Sequence, residues 1–137
     1  MALHLIKLCV GCDTVEELAA WRRDSRERGE AWKLRTRQTP RRAPELLDGG
    51  SVYRVYRGHI LSRQRILAVE TVGAGTMARC EITLDEAIVR TSPAPRRAFQ
   101  GWRYLAPPDA PADLFGELAE DDVPFDLAVR LRQLGAW

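Results

Sequence analysis

The side chains best suited to chemistry in this 137-residue chain are arginines that lie close to amide and aromatic residues. A guanidinium group binds phosphate, an amide can hydrogen-bond to the edge of a base, and an aromatic ring can stack on its face. The combination therefore predicts a basic and aromatic cleft that binds RNA or a nucleotide-like ligand. The eight candidate ligand-binding residues are Arg42, Arg63, Gln64, Arg65, Gln100, Trp102, Arg103 and Tyr104.

Each residue type in this set has an expected role. The arginines would contact phosphate, the two glutamines would read a base edge, and Trp102 or Tyr104 would stack on a base. Gly101 would allow a ligand or another backbone to approach closely. A structural interpretation stays open beside this one: Phe99 and the two other rings would plug the open end of a sheet or barrel, and the arginines would form a solvated face.

Basic residues are concentrated in the first half of the chain, although the formal net charge is only +2. Residues 22–65 carry thirteen Lys and Arg against five Asp and Glu, a net charge of +8, whereas residues 106–126 carry seven acids and no base. This asymmetry is typical of a polyanion-binding surface, but the two regions would neutralise each other if they met in the fold. Arginines outnumber lysines nineteen to two, which either phosphate recognition or a GC-rich coding sequence would produce.

Cys9 and Cys12 form a CxxC pair between an expected strand and an expected helix. Such a pair is redox-active where a helix N-terminus stabilises a thiolate, and structural where the first cysteine is buried in the strand. A zinc site would need four ligands, and Cys80 with one histidine does not supply the second half of a zinc motif. A cysteine-based metal or redox protein remains an alternative. No metal and no cofactor is assigned, and reduced thiols are expected.

The sequence contains no motif that supports an enzymatic function. The chain has no GxSxG, and its glycines lack the spacing of phosphate-binding or dinucleotide-binding loops. His4 and His59 have no obvious acidic partner in the sequence. A small hydrolase or nuclease acting on a nucleotide-like substrate is kept as an alternative, which a histidine within hydrogen-bond reach of a carboxylate would support. No residue is assigned as catalytic.

The spacing of apolar residues predicts the elements that position these side chains. A strand is expected over residues 3–10, and Thr14-Val-Glu-Glu17 is a capping box that begins a helix ending near Arg28. Later elements are expected as strands over 32–39, 51–57, 60–72 and 78–84, a helical turn over 43–47 and a tight turn at Gly58-His59. The middle of the chain is thus an antiparallel meander whose long strand is central at its far end and exposed near Arg63 and Arg65.

The last third of the chain changes character. A proline-arginine loop is expected over residues 92–97, a proline-rich turn over 106–111 and a helix from Pro124. Together the elements predict one α+β domain over residues 1–137, a small mostly antiparallel sheet or pseudo-barrel with an N-terminal and a C-terminal helix. No apolar run reaches the ~20 residues of a membrane helix, and no secretory signal is recognised. A cytoplasmic protein without membrane contact is expected, and the sequence does not indicate its oligomeric state.

Four runs of the sequence, HLIKLCVG, ELLDGGSVYRVYRG, SRQRIL and AFQGWRYL, resemble a bacterial, mainly alphaproteobacterial, family classed as a domain of unknown function. The resemblance covers nearly the whole chain and implies no activity. Residues 45–72 also resemble PUA-like domains, including the ASCH branch, in which a turn like ELLDGG precedes a hairpin and a long strand. That resemblance implies a small pseudo-barrel that binds RNA or modified bases in a cleft between a helix and the barrel.

Overall fold

In a computed structural model, which describes residues 3–9, 11, 13–97 and 99–117, the chain forms two α-helices and eight β-strands. The helices are α1 (Val15–Glu27) and α2 (Ala43–Leu47). The strands are β1 (His4–Leu8), β2 (Lys33–Thr36), β3 (Ser51–Tyr56), β4 (His59–Val72), β5 (Arg79–Leu84), β6 (Val89–Pro95), β7 (Trp102–Leu105) and β8 (Asp113–Glu117). None of the described helices is both long and apolar enough to cross a membrane.

The strands form one mixed sheet in the order β2-β5-β4-β3-β1-β7, with β6 paired to β4 and β8 paired to β6. β1 and β3 are parallel, and the other described pairs are antiparallel. The expected α+β class is confirmed. The ends of the strand order meet, because the indole Nε1 of Trp102 in β7 donates a hydrogen bond to the carbonyl oxygen of Gln38, two residues after β2, at 3.1 Å. The sheet is therefore strongly curled.

Helix α1 forms where the capping box predicts it. Thr14 Oγ1 accepts a hydrogen bond from the backbone N–H of Glu17 at 3.1 Å, and Glu17 Oε2 accepts one from the N–H of Asp13 at 3.2 Å. The first bond satisfies a backbone donor that the first turn of the helix leaves free, and the second ties Glu17 to the residue before the cap. Gly29, with φ of +74°, follows the last turn, where a left-handed residue commonly ends a helix. The predicted start and end of this helix are confirmed.

Three local expectations are wrong. The tight turn between β3 and β4 is Arg57-Gly58 and not Gly58-His59, since both of the former have positive φ, as a type I′ hairpin requires. Residues 92–95 are not a loop but the second half of β6, which pairs with both β4 and β8. β4 is most buried in its first half, where β3 and β6 flank it, and more exposed in its second half, where β5 is its partner. The helix expected from Pro124 lies outside the described residues.

The concave face of the curled sheet carries two apolar clusters. The first includes Leu5 of β1 and Val52 of β3, and the second lies beneath α1 and includes Cys9 and Tyr56. A third cluster, around Ile6, lies on the opposite face of the sheet. Side chains alternate along a strand, so Lys7 of β1 and Arg54 of β3, which lie between these two clusters in the sequence, also point to the concave face.

Candidate functional site

An open cleft lies where the two ends of the sheet meet, between the β2 region and the start of β7. Its volume is about 610 Å³. The basic residues that line it are Lys7, Arg35, Arg37 and Arg103. The amide and aromatic residues that line it are Gln38, Gln100 and Trp102. This concavity, the outer cleft, combines cations with groups that can bind the edge and the face of a base.

Trp102 forms one wall of the outer cleft. Its ring meets the ring of Tyr104 edge-on, with 5.0 Å between the centroids, and its Nε1 is held by the Gln38 carbonyl. Gly101, just before β7, has φ of +72°, a conformation that glycine adopts without strain. Trp102 lies opposite Lys7 in the β1–β7 pair, so the indole and the ammonium group share one face of the sheet.

The cations of the outer cleft differ in how far other groups neutralise them. Arg35 pairs with Glu81 across β2 and β5 at 2.8 Å. Arg103 lies over an aromatic ring, 5.3 Å from its centroid, and donates to two backbone carbonyls. Lys7 and Arg37 form no ion pair with a carboxylate anywhere in the described part of the chain. Arg103 has no carboxylate partner among the same residues either, so three of the four positive charges are available to an anion.

A second cleft of about 350 Å³, the inner cleft, adjoins the first and shares Lys7 and Arg35 with it. It lies between α1 and the strands. Its walls include Leu18 and Trp21 from α1, Trp32 from the segment before β2, and Arg54 from β3. The inner cleft is thus more aromatic and apolar than the outer cleft, but it contains two cations on the concave face.

Arg54 occupies the midpoint between the two concave apolar clusters. It is only 7% exposed, and its Nε has no hydrogen-bond partner in the described structure. Lys7 lies directly beside it in the parallel β1–β3 pair. Burial lowers the pKa of Arg54, and burial followed by the charge of Arg54 lowers the pKa of Lys7. Two neighbouring cations without a counter-charge raise the free energy of the unliganded protein.

Arg42 and Tyr104 contact each other and line neither cleft. The Arg42 guanidinium lies 5.6 Å from the centroid of the Tyr104 ring, and the Arg42 backbone N–H donates to the Tyr104 hydroxyl at 3.2 Å. Arg42 also makes a two-point ion pair with Glu45 at 2.5 and 2.7 Å, which raises the pKa of the arginine and lowers that of the carboxyl. These contacts occupy the groups expected to bind a ligand.

Arg63 and Arg65 also lie away from the two clefts. Arg63 makes a two-point ion pair with Asp113, with both distances 2.7 Å, and donates to Ser51 Oγ at 3.0 Å. The bond to Arg63 lowers the pKa of the Asp113 carboxyl. Arg65 is exposed, and no side chain pairs with it among the residues that the structure describes. The structure therefore separates the Arg63–Arg65 stretch from the Gln100–Tyr104 stretch.

Gln64 is a core residue. Its side chain is 0% exposed, its Oε1 accepts a hydrogen bond from Trp32 Nε1 at 3.2 Å, and its Nε2 donates to the Asp85 carbonyl at 3.0 Å. Alternation along β4 turns this amide to the concave face, so it has no surface to offer to a base. The expectation that Gln64 reads a base edge is therefore corrected.

Three of the eight predicted residues, Gln100, Trp102 and Arg103, line the outer cleft. Lys7 and Arg54 are not among the eight residues predicted from the sequence. A signal for both was present, since each is a cation at an inward position of a strand that is otherwise apolar on that side. The parallel pairing of β1 with β3, which puts the two cations side by side, has no sequence signal.

The other site types find little support in the described residues. His4 Nδ1 accepts a hydrogen bond from the backbone N–H of Ser51, and neither histidine contacts a carboxylate there. Within the same residues, no three His, Cys, Asp or Glu side chains converge as metal ligands. Cys9 is disulfide-bonded, which corrects the expectation of reduced thiols, whereas Cys80 is free and buried. Cys12 lies outside the described residues.

The curled mixed sheet and its basic, tryptophan-lined clefts define the chain as an α+β protein with a candidate anion-binding site. Over residues 5–137 it matches the family described as "Protein of unknown function (DUF1489)", and it belongs to that family. The resemblance to a domain-of-unknown-function family is thereby confirmed. No curated protein and no solved structure matches the chain.

Proposed function

We propose that this protein binds RNA or a nucleotide in the outer cleft. The observation that carries the proposal is the gathering of four cations around Trp102 in one open concavity. Three of them, Lys7, Arg37 and Arg103, have no carboxylate partner among the described residues. Phosphate contacts supply most of the affinity of a sequence-independent nucleic-acid site, and such a surface offers them.

Each group that lines the outer cleft has a distinct role in this proposal. Arg37 and Arg103 contact phosphate oxygens, because guanidinium groups bind them in a two-point geometry. Gln38 and Gln100 carry exposed amides that can both donate to and accept from a base edge. The indole of Trp102 provides a surface for the face of a base.

The PUA-like likeness supports the same proposal by analogy. In domains of that kind, RNA or a modified base binds between a helix and a small pseudo-barrel. The inner cleft has a corresponding place in this chain, with Leu18 and Trp21 of α1 on one side and strand residues on the other. A nucleotide in the outer cleft could reach it, since Lys7 and Arg35 line both.

The test is fluorescence anisotropy with a labelled single-stranded RNA over a range of salt concentrations. The wild-type protein should bind with an affinity that falls with salt by a log–log slope of about −0.7 for each phosphate contacted. The double variant Arg37→Ala/Arg103→Ala should bind at least tenfold more weakly and should lose about two phosphate contacts from the slope.

The matched control is Arg65→Ala, which removes one exposed strand arginine outside both clefts. It should change affinity by less than about threefold, since it alters only the long-range charge. Equal losses of the logarithm of the affinity per charge removed in the control and the double variant would show that the effect is one of net charge, and absence of RNA binding by the wild type at low salt would refute the proposal. No histidine–carboxylate contact in the described chain favours the hydrolase or nuclease alternative.

A further inference from the structure

We propose that Arg54 and Lys7 form a buried site for the phosphate group of the ligand, at the inner end of the clefts. The site takes a phosphate monoester, such as a nucleotide or the end of an RNA strand carries. This inference deepens the proposed function and rests on it for the identity of the ligand as a nucleotide.

Arg54 lies between the two apolar clusters on the concave face of the sheet. Val52 belongs to the first apolar cluster and Tyr56 to the second. Because side chains alternate along β3, Arg54 points to the same concave face as these two residues. The side chain is more than nine-tenths buried and lines the inner cleft. Its guanidinium is therefore directed at a cavity and not at bulk solvent.

The neighbouring side chains do not compensate the charge of the Arg54 guanidinium. Ser62, the partner of Arg54 in the β3–β4 register, shares a hydrogen bond with the Tyr56 hydroxyl at 2.7 Å. Gln64 is occupied by Trp32 and a backbone carbonyl. Arg54 Nε is left without an acceptor, and no carboxylate of the described chain pairs with Arg54. An unsatisfied buried cation is costly, which a protein tolerates where function requires it.

The charge of Arg54 and Lys7 indicates which anion would bind between them. Lys7 lies beside Arg54 in the parallel pair and has no carboxylate partner in the described residues either, so the site presents about two positive charges. A phosphate monoester carries a charge of about −1.5 to −2 at neutral pH and has three acceptor oxygens, whereas a carboxylate carries a charge of −1. A phosphate therefore matches the charge of the site and offers acceptor oxygens to both cations.

The remaining walls suit the rest of such a ligand. Trp21 and Trp32 line the inner cleft with Leu18 and Leu34, so much of the wall beside the two cations is apolar. Lys7 and Arg35 border both clefts. A ligand whose phosphate sits between Arg54 and Lys7 can thus extend past Arg35 into the outer cleft, where Trp102 and the amides lie.

The experiment measures the melting temperature and the binding of inorganic phosphate at constant ionic strength, with chloride as the balancing anion. Phosphate should raise the melting temperature of the wild type in proportion to the logarithm of its concentration, because it binds only the folded state. Arg54→Met and Lys7→Met should each weaken phosphate binding at least tenfold, about the loss of one charge-assisted hydrogen bond. Without phosphate, Arg54→Met should melt no lower than the wild type, since an uncompensated buried charge has been removed.

Two controls make the test specific. Arg65→Met removes a cation from the exposed side of β4 and should keep the full phosphate response. Acetate at the same ionic strength should give a smaller shift than phosphate. An equal shift with acetate, the same phosphate response in Arg54→Met and Lys7→Met as in the wild type, or no response in the wild type would overturn the inference. Lys7→Met supplies the answer if Arg54→Met does not fold, because Lys7 is only half-buried.

A nucleotide arm separates this inference from the proposed function. Adenosine monophosphate should bind the wild type more tightly than adenosine, and Arg54→Met should abolish that difference. If the nucleotide and RNA fail to bind while inorganic phosphate still requires Arg54, the buried anion site stands and the proposed function fails. If the nucleotide binds Arg54→Met as well as it binds the wild type, the proposed function stands and the buried phosphate site is wrong.

Discussion

On β1, the Nδ1 atom of His4 accepts a hydrogen bond from the backbone N–H of Ser51 at 3.0 Å, so this nitrogen carries no proton. The ring also meets the ring of Tyr53 edge-on at 5.0 Å. Burial, followed by the nearby charge of Arg63, lowers the pKa of His4 below its ordinary value of 6.5. Protonation of Nδ1 would remove the acceptor of the Ser51 N–H and place a second cation beside Arg63.

A pH dependence of stability follows from this lowered pKa. Below pH 6.5 the unfolded chain takes up a proton at His4 before the folded chain does, so stability should fall as the pH drops toward the lowered pKa. The slope from this one group is at most about 1.4 kcal/mol per pH unit. The variant His4→Asn, whose side-chain oxygen can accept the same hydrogen bond, should show a shallower decline. Urea denaturation between pH 7 and pH 5 measures both slopes, and identical slopes would contradict the prediction.

The residue-level chemistry of the clefts was only partly predictable from sequence. The stretch around Trp102 was found because cations, amides and an aromatic ring are crowded there. Gln64 is predicted to read a base edge and Lys7 is not among the predicted residues, because sequence spacing does not show which neighbour an inward polar group meets. Gln64 meets Trp32 and is satisfied, whereas Arg54 meets Lys7 and is not.

At the scale of elements, α1 forms one wall of the inner cleft and is attached to the sheet at several points. Glu16 pairs with the buried Arg90 of β6 at 2.6 Å, and Arg22 donates to the carbonyl of Glu86. These bonds surround the apolar contacts that Leu18 makes with the concave face. The helix is therefore positioned by both packing and charge, and the first turn with its cap lies close to those attachments.

The cap of α1 gives a prediction for the stability of this wall. Thr14→Ala removes the oxygen that accepts from the Glu17 N–H and should lower the free energy of unfolding by about 1 kcal/mol. Thr14→Ser keeps the hydroxyl and should lose less than about half of that amount. Denaturant unfolding compares the two variants. An equally stable Thr14→Ala protein would show that the cap is replaced by solvent or by Asp13.

The elements with strong local signals were predicted well, and those that depend on distant pairing were not. The capping box fixed α1, and β3, β4 and β5 form the expected meander. The segment Ser92–Pro95 has two prolines and looks like a loop, yet it is a strand because β4 pairs with Ala94 and Pro95 from positions far away in the sequence. The same long-range pairing buries the first half of β4 and leaves its second half exposed.

At the scale of the whole molecule, the basic and acidic regions of the sequence meet at a defined place. Arg63 of the basic region pairs with Asp113 of the acidic region, and the two side chains are 25% and 35% exposed. This contact supports mutual neutralisation on that side of the sheet. The clefts lie elsewhere, and there Lys7, Arg37 and Arg54 have no such partner in the described residues. Mutual neutralisation therefore accounts for the charge asymmetry at one surface, and cations without a carboxylate partner lie at another.

The curled shape of the sheet depends on how its two ends are joined, and Trp102 provides a bond between them. Trp102→Phe keeps an aromatic ring against Tyr104 but removes the N–H that donates to the Gln38 carbonyl. Loss of about 1 kcal/mol at this junction should increase the local opening of β2, so that its amides exchange with solvent about fivefold faster. Trp21→Phe is the matched control, since Trp21 lies on α1 and is 45% exposed. Hydrogen exchange should separate the two variants at β2 and leave β3 alike in both, because β3 lies in the middle of the strand order. Equal exchange at β2 in both variants would mean that packing of Trp102, and not its hydrogen bond, holds the ends of the sheet together.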